Sequence, residues 1–568
     1  MAAPSVPPSM AAPQLPSGMA APRVPFVCER GVDVDPTWLA LVDGSGDGDP
    51  GLRAALLLGE VYERLLHPRA RHVRGAHFTP VDVASRLVTF ALGDGEVDAS
   101  FRACDPTCGG GVFLLAVASF LETRGWSRAA AARALYGADI DPLATWVSAQ
   151  ALALWAGATD DHADERILCA DVLPRVDVWR VAGFDAVIGN PPFQSQLARA
   201  TTRVGEARRV ADTLGGALAP YVDTAALFLV RALDLVRDGG RVALIQPHTT
   251  LVARDARAVR EAVHARADLT GLWFARDAIF AANVRVCAPV LVRRDTRETT
   301  PPLVTRAVDR EFASAPPVTP PGSADTWAGL ASDLLGGPRV RLQTTRRVGD
   351  VATATAGFRD EYYGLVGAVS ERRTGDSRPR LITCGLIDLL ACNWGVRPAK
   401  FAKASYLEPV VDLDVLEGRV HRWVVAQLVP KVLVATQTKV IEVVVDECGD
   451  LIPSTPVVAV HAPQSELWMI AAALSAPCVS ALALERVAGA ALGTNAIKLA
   501  ARQVLDLPLP VDLTAWVAGA ALARAAQQTA DPAVRTRLLD RLGATMNTAY
   551  GCDEPAVLRW WTERRGPA

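Results

Sequence analysis

Two kinds of hydrophobic segment alternate between about Gly51 and Val292 of this chain. Short apolar runs bounded by Gly, Pro or Asp are typical of buried strands, and Ala-rich stretches with helical spacing are typical of amphipathic helices. The predicted strands are Phe101–Cys104, Leu135–Ala138, Arg166–Cys169, Ala186–Ile188, Arg241–Gln246, Leu269–Phe274 and Pro289–Val292, and the clearest helices are Val112–Thr123 and Pro142–Trp155. This alternation predicts an α/β fold with a doubly wound, mostly parallel, Rossmann-like sheet that binds ligands at the carboxyl ends of its strands.

The composition changes after this region. Pro-rich sequence at 299–305 (TTPPLVT) and 314–325 (SAPPVTPPGSAD) predicts a linker or an irregular domain junction, and we assign a linker to 299–337. Beyond it, strand-like runs at Val432–Ala435, Val440–Val445 and Val457–Val460 predict a mixed α+β domain over 338–510, followed by a helical segment over 511–568. Three MAAP repeats predict a disordered tail over 1–30, which leaves 31–298 for the α/β domain.

Charge and cysteine content limit the possible partners. The 568 residues carry a net charge of −2, so binding of a nucleic acid would need a local basic face. Residues 338–440 hold 16 Lys and Arg against 10 Asp and Glu, which suits either a solvated surface or a phosphate-contacting face. Ten cysteines without a CxxC pair favour reduced thiols in a cytoplasmic protein, and no metal site is expected. The apolar stretch Leu467–Leu484 contains Pro477 and predicts a buried, broken helix rather than a membrane span.

Carboxylates follow three successive predicted strands. Asp105 begins DPTCGGGVFL, Asp139 lies in GADIDP, and Asp171 lies in ADVL. A strand-end acid before a glycine turn suits close approach of a ligand, and an acid after the next strand suits a ribose diol. The absence of GxGxxG and of a following lysine disfavours a dinucleotide or a nucleoside triphosphate. Each acid taken alone is more typical of a helix cap, but three in succession favour a ligand site.

The segment FDAVIGNPPF, residues 184–193, places Asn190, two prolines and Phe193 at the tip of a predicted buried strand. Taken by itself, NPPF could be only a rigid strand-to-loop turn. Together, DPTCGGGVFL, GADIDP, ADVL and NPPF resemble the S-adenosylmethionine-dependent adenine-N6 DNA methyltransferases. The upstream GAHFTP segment, residues 75–80, is similar to a motif that marks the gamma ordering of that family.

The resemblance implies a cofactor, S-adenosylmethionine, and a set of site residues. Thr79 and Pro80 would hold the methionine portion, Asp139 the ribose hydroxyls and Asp171 the adenine amine. The segment around Asp105 would lie against the amino-acid and sulfonium region, and Ile140 would flank the adenine. The other cofactor-binding residues of that segment would be Pro106, Cys108, Gly109 and Gly111. Thr107 and Phe193 depart from the family's more frequent Ala and Tyr without removing a group that the chemistry requires.

For catalysis, the resemblance implies Asn190, Pro191, Pro192 and Phe193. Adenine N6 is a poor nucleophile because its lone pair is delocalised into the ring. Acceptance of both amino hydrogens, by the Asn190 side-chain oxygen and the Pro191 carbonyl, would free that lone pair. Phe193 would stack on an adenine extruded from the duplex. The same tetrapeptide occurs in enzymes that methylate RNA bases or protein glutamine. Two further features favour duplex DNA: the GAHFTP segment precedes the glycine turn, and a long C-terminal region follows the catalytic half.

That C-terminal region looks similar to a target-recognition domain. Its candidate DNA-binding residues are basic or polar side chains with one aromatic among them: Trp394, Arg397, Lys400, Lys403, Gln437 and Lys439. Taken alone, each of these side chains is more typical of an ordinary surface position than of a base contact. Gln194–Pro220, which carries four arginines, suits a loop closing over DNA or a plain insertion.

We therefore expect a modification enzyme whose restriction or defence partner, if any, is encoded separately. No nuclease motif is found outside the methyltransferase motifs. The alternative hypotheses are a DNA-binding subunit that needs a partner for activity, and a methyltransferase for RNA or protein nitrogen.

Overall fold

The computed structural model describes residues 50–65, 79–93, 97–157, 163–175, 177–193, 222–280, 284–294, 303–357, 359–487 and 496–566. Three predicted features lie outside these ranges: the tail over 1–30, the start of the GAHFTP segment at 75–78, and the loop over 194–220. Thr79 and Pro80, which end the GAHFTP segment, are described.

A ten-stranded sheet organises the first half of the described chain. Its strands are β1 (Ala103–Asp105), β2 (Leu135–Asp139), β3 (Ile167–Cys169), β4 (Phe184–Gly189), β5 (Val236–Leu244), β6 (Gln246–Pro247), β7 (Ala267–Phe274), β8 (Val286–Arg293), β9 (Val304–Val308) and β10 (Ala313–Val318). The order is β10-β9-β7-β8-β5-β4-β1-β2-β3, with β6 paired to β8. Strands β3, β2, β1, β4 and β5 are mutually parallel, whereas β8 is antiparallel to β5 and β7.

Helices cover both faces of this sheet. They are α1 (Pro50–Leu65), α2 (Val81–Leu92), α3 (Val112–Thr123), α4 (Arg128–Arg133), α5 (Pro142–Ala156), α6 (Ala163–Arg166), α7 (Thr224–Leu235), α8 (Thr249–Val252) and α9 (Arg257–Arg266). Ala186 and Ile188 of β4 belong to the core formed with α2, α3 and α5, while Val187 belongs to the core formed with α7 and α9. Because both faces are buried, the strands read as continuous apolar runs. The doubly wound α/β class is confirmed, although the sheet is mixed beyond β5.

The linker predicted over 299–337 is wrong for much of its length. Strand β9 pairs in parallel with β7, and β10 forms the antiparallel edge of the sheet. Trp327 and Leu335 are buried in the same core as α7. The prolines at 316 and 317 misled the prediction because they fall in an edge strand, at an irregularity between Ala315 and Val318, where a missing N–H costs no ladder bond.

The second half of the chain holds short strands and a group of helices. The strands are β11 (Thr353–Ala356), β12 (Val369–Glu371), β13 (Arg380–Ile382), β14 (Ile387–Asp388), β15 (Ala391–Cys392), β16 (Ala399–Phe401), β17 (Ala404–Tyr406), β18 (Pro409–Val411), β19 (Lys431–Val434), β20 (Val443–Asp446), β21 (Leu451–Pro453) and β22 (Val458–His461). They form four-stranded sheets of order β11-β22-β19-β20 and β12-β18-β13-β21, and the hairpins β14-β15 and β16-β17.

The helices of this half are α10 (Arg359–Gly364), α11 (Gly418–Ala426), α12 (Leu467–Leu474), α13 (Pro477–Val487), α14 (Ala501–Leu505), α15 (Leu513–Gln528), α16 (Pro532–Ala549) and α17 (Pro555–Arg565). Alternate residues of β19 point into two cores: Val432 and Val434 pack with the C-terminal helices, and Leu433 packs on the opposite face. The mixed α+β character predicted here is confirmed, and the helices after 511 share a core with the preceding sheet.

The apolar stretch at 467–484 forms α12 and α13, which separate at Pro477 and are largely buried. None of the described helices is long and apolar enough by itself to cross a membrane. The pair Gln464–Leu474 and Pro477–Val487, bent by 69°, passes that test of length and composition only when its two members are taken together.

Candidate functional site

A cavity of about 450 Å³ lies at the carboxyl ends of β1, β2, β3 and β4. Such a volume is within the usual range of small-molecule sites. Eleven of the residues predicted to bind cofactor or to act in catalysis line it: Thr79, Pro80, Asp105, Pro106, Cys108, Gly109, Asp139, Ile140, Asp171, Asn190 and Pro192. The lining does not include Gly111, Pro191 or Phe193. The parallel part of the sheet therefore brings four separate sequence segments to one place.

The three strand-end carboxylates are oriented by the same local turn. In each case the side chain accepts a hydrogen bond from the backbone N–H two residues later: Asp105 from Thr107 at 3.0 Å, Asp139 from Asp141 at 2.9 Å, and Asp171 from Leu173 at 3.1 Å. This Asx turn is a capping interaction of short polar side chains. The capping and ligand-binding interpretations are therefore compatible, because the turn holds each acid at the cavity wall.

Asp105 lies in an unusual electrostatic environment. It is almost completely buried, and its burial, together with the nearby Asp139 carboxylate, raises its pKa to about 7. Gly189, at the end of β4, packs closely against Asp105, since a Cβ added to Gly189 would overlap Asp105 Oδ1. Acids with a pKa shifted in this way cluster at functional sites. There, a positively charged ligand can offset the cost of ionising the buried carboxyl group.

The glycine turn connects β1 to α3 and contacts the neighbouring strand end. Gly109 N–H donates to Oδ2 of Asp139 at 3.1 Å, and the Gly109 carbonyl accepts from Ser148 Oγ at 2.8 Å. Gly111 has φ of +88°, and an added Cβ would lie 3.2 Å from the Ser148 Cα. Gly111 thus serves the backbone turn and the packing of α3 on α5, while Gly109 and Gly110 line the cavity.

Asn190 is held by a residue of the segment that precedes α2. Its Nδ2 donates to Oγ1 of Thr79 at 3.0 Å, and Thr79 is itself buried. The neighbouring Pro191 is buried outside the cavity lining, and Pro192 lines the cavity. Phe193 packs on the adjoining core, with its ring centroid 6.1 Å from that of Phe280.

Ile140 departs from the burial of the strand that precedes it. Its side chain is 49% exposed although it borders the cavity. An apolar side chain left open beside three carboxylates suits contact with a flat, partly apolar ligand group.

Sequence reasoning missed one wall of this cavity. Helix α1 contributes Ala55, Leu56, Gly59, Glu60 and Tyr62 to the lining. The sequence shows only the helical spacing of these residues, and this spacing does not distinguish a ligand-facing side of a helix from a core-facing side.

Two of the predicted DNA-binding residues have internal partners. Trp394 donates from Nε1 to the Pro409 carbonyl at 2.9 Å, and the guanidinium groups of Arg372 and Arg380 lie 5.5 and 5.6 Å from its ring centroid. Arg397 forms an ion pair with Asp388 at 2.8 Å. These contacts favour structural roles for both side chains.

The other four predicted DNA-binding residues are exposed and lie in two places, the β16–β17 hairpin and the segment that follows β19. Lys400 lies on β16, and Lys403, with φ of +70°, lies in the turn to β17. Gln437, two residues before Lys439, has φ of +67°. Its N–H donates to the Ile497 carbonyl at 2.9 Å. A non-glycine residue with positive φ is uncommon and persists where surrounding contacts hold it.

Residues 53–306 match the model of the N-6 DNA Methylase family. This range contains every residue that lines the cavity, and it covers a little under half of the chain.

Solved structures resemble the chain over most of its length. The Type IIL restriction-modification enzyme MmeI in complex with DNA aligns with 90% of this chain and 81% of its own, at a TM-score of 0.57 and 13% identity. The DrdV–DNA complex aligns with 85% of this chain and 60% of its own, at a TM-score of 0.52 and 13% identity. The ATP-dependent Type ISP restriction-modification enzyme LlaBIII bound to DNA aligns with 84% of this chain and 41% of its own, at a TM-score of 0.51 and 9% identity. At these identities the likeness is one of fold: a Rossmann-like sheet with an additional C-terminal region.

Proposed function

We propose that this protein is a site-specific DNA methyltransferase that transfers a methyl group from S-adenosylmethionine to N6 of an adenine flipped out of duplex DNA. One observation carries the proposal: Asn190 and Pro192 line the same cavity as the strand-end acids Asp105, Asp139 and Asp171. The match of residues 53–306 to the N-6 DNA Methylase family supports it.

The residues of the cavity fit S-adenosylmethionine by their chemistry. Carboxylates at the ends of β2 and β3 offer acceptors for ribose hydroxyls and for the adenine amine, and exposed Ile140 offers an apolar surface for the base. The buried Asp105 suits a positively charged ligand, since ionised acids in apolar surroundings need compensation. The cofactor supplies an electrophilic methyl group on its sulfonium.

Activation of the target nitrogen falls to Asn190 and its neighbours. The hydrogen bond to Thr79 engages the Nδ2 donor of Asn190 and so fixes the orientation of the amide, whose acceptor is Oδ1. Oδ1 and the Pro191 carbonyl would accept the two amino hydrogens of adenine, which localises the lone pair on N6 without a general base. Phe193 would support the extruded base, since base–aromatic stacking is worth about 1–3 kcal/mol.

Duplex DNA is the proposed substrate, and the C-terminal region is the proposed recognition element. MmeI and LlaBIII are named as restriction-modification enzymes and were solved with DNA, and the likeness to them extends into this region. We therefore place this protein in a restriction–modification or phage-defence system, with a separately encoded partner where one exists. Lys400, Lys403, Gln437 and Lys439 are the proposed DNA contacts.

The test compares acceptors under one condition. Purified protein is incubated with S-adenosylmethionine carrying a tritiated methyl group and with duplex DNA, RNA or a glutamine-containing peptide. The proposal predicts tritium in duplex DNA, recovered as N6-methyladenine after digestion. Label in RNA or in peptide alone would contradict it, and DNA binding without any cofactor binding would indicate a subunit that needs a partner.

A further inference from the structure

Helix α1 forms one wall of the cavity, although no cofactor contact was assigned to it. Ala55, Gly59 and Tyr62 follow the spacing of a single helix face, and Leu56 and Glu60 flank them. Its flanking segments, before residue 50 and after 65, lie outside the described residues. The contacts that the helix itself makes define the position of α1.

Two contacts fix this helix against the cofactor-facing loops. Gly59 touches the glycine turn so closely that a Cβ added to Gly110 would lie 3.1 Å from the Gly59 Cα. Three residues later, Tyr62 donates to Oδ2 of Asp141 at 3.3 Å. Tyr62 also packs with Ala144 and Val147 of α5 in a small separate core. The helix is thereby tied to the turn after β1 and to the loop after β2.

Charge distinguishes Glu60 from the rest of this wall. The cavity lining contains five carboxylates, Glu60, Asp105, Asp139, Asp141 and Asp171, and no lysine or arginine among its described residues. The four aspartates are each oriented by the backbone N–H two residues later. Glu60 stands on a helix instead, next to the glycine that touches the turn.

We propose that Glu60 binds the α-ammonium group of the methionine portion of S-adenosylmethionine, which makes α1 part of the cofactor site. This assignment rests on the proposed function. The ligand carries an ammonium group that is charged at neutral pH and needs a charged or strongly polar acceptor when it is removed from water. The glycine turn is the part of the cavity proposed to face the amino-acid portion. Glu60 is the carboxylate next to the α1 residue in contact with that turn.

The experiment measures the binding of three ligands by titration calorimetry. S-adenosylmethionine and S-adenosylhomocysteine both carry the ammonium group, and 5′-methylthioadenosine has the nucleoside without the amino acid. For Glu60→Gln we expect both amino-acid ligands to bind at least about tenfold more weakly, with the affinity for 5′-methylthioadenosine unchanged within about twofold. Arg53→Gln, an exposed change on the same helix outside the cavity lining, is the matched control and should bind all three like the wild type.

The outcomes separate this inference from the proposed function. An equal loss for all three ligands in Glu60→Gln, or no loss for any, would overturn the role of Glu60 while leaving the function in place. Failure of the wild-type protein to bind S-adenosylmethionine would overturn both. Thermal unfolding of each variant, recorded without ligand, identifies a loss of affinity caused by a displaced helix, which also counts against the assignment.

Discussion

The Asn190 side chain donates a hydrogen bond to the hydroxyl of Thr79, 3.0 Å away, although 111 residues separate them in sequence. An asparagine amide offers an acceptor at one end and a donor at the other, and its function depends on which end faces the reacting group. The threonine hydroxyl takes up the donor end. We therefore expect Thr79, which also lines the cavity, to position Asn190 for the proposed activation of adenine.

Removal of this hydroxyl should slow methyl transfer more than it weakens cofactor binding. Thr79→Val keeps the shape of the side chain and removes the acceptor for Asn190 Nδ2. We expect kcat to fall about tenfold, the usual worth of one hydrogen bond of this kind. Steady-state kinetics with duplex DNA would measure the fall. Thr79→Ser, which retains the hydroxyl, should recover most of the rate, and an unchanged kcat in Thr79→Val would exclude the positioning role.

The affinity for S-adenosylmethionine should depend on pH through Asp105. Burial and the nearby Asp139 carboxylate raise the pKa of Asp105 to about 7, so the ligand-free acid is mostly protonated below that pH. A cationic ligand favours the ionised form, and binding below pH 7 must therefore release a proton. Affinity should rise by up to about tenfold per pH unit as pH approaches 7, and should level off above it.

Calorimetry in buffers of different ionisation enthalpy measures the released proton directly. Asp105→Asn cannot titrate, so its weaker binding should show a flatter pH profile over the same range. The same steep profile in Asp105→Asn would assign the dependence to another group.

Gly189 should not tolerate a side chain, because an added Cβ would overlap the Asp105 carboxylate. Gly189→Ala is expected to lower the free energy of unfolding by about 1–3 kcal/mol through overpacking and to weaken cofactor binding. Gly322→Ala is the control, since its Cβ would meet nothing within 4 Å. Chemical denaturation of both variants tests the difference, and equal stability would show that the end of β4 is looser than described.

Exposed lysines of the C-terminal region should contribute to DNA affinity through phosphate contacts. Lys400→Ala and Lys439→Ala are each expected to weaken binding of all DNA sequences and to reduce the slope of log affinity against log salt by about 1. Arg541→Ala, which removes an exposed cation from α16, is the comparison. Salt titrations with fluorescent duplexes would measure the slopes. Equal slopes for all three variants would show that DNA binds at a different surface of the protein.

A buried lysine of the same region behaves differently. Lys431 is fully buried and pairs with Asp446 at 2.6 Å. Its loss leaves an uncompensated buried charge, so Lys431→Ala should cost about 3–5 kcal/mol of stability. Urea denaturation measures this cost. A variant as stable as the wild type would contradict the buried ion pair.

The sequence predicted the sheet and the strand-end acids because both depend on local pattern. Apolar runs ending in Asp105, Asp139 and Asp171 place these residues at one edge once the strands are parallel. Contacts between distant segments could not be predicted in this way. The Gly59–Gly110 approach and the partners of Trp394 arise only when separate elements pack. The prolines at 316 and 317 resembled a linker because proline is rare in strands, but they lie in an edge strand, which tolerates them.

The most direct test of the account is genome-wide mapping of N6-methyladenine in an unmethylated host that expresses either the wild-type protein or Asn190→Ala. We predict methylation at one enriched sequence motif with the wild type and none with the variant, which should still fold and bind S-adenosylmethionine. Methylated adenine that persists in Asn190→Ala, or a wild-type strain without any N6-methyladenine, would contradict it.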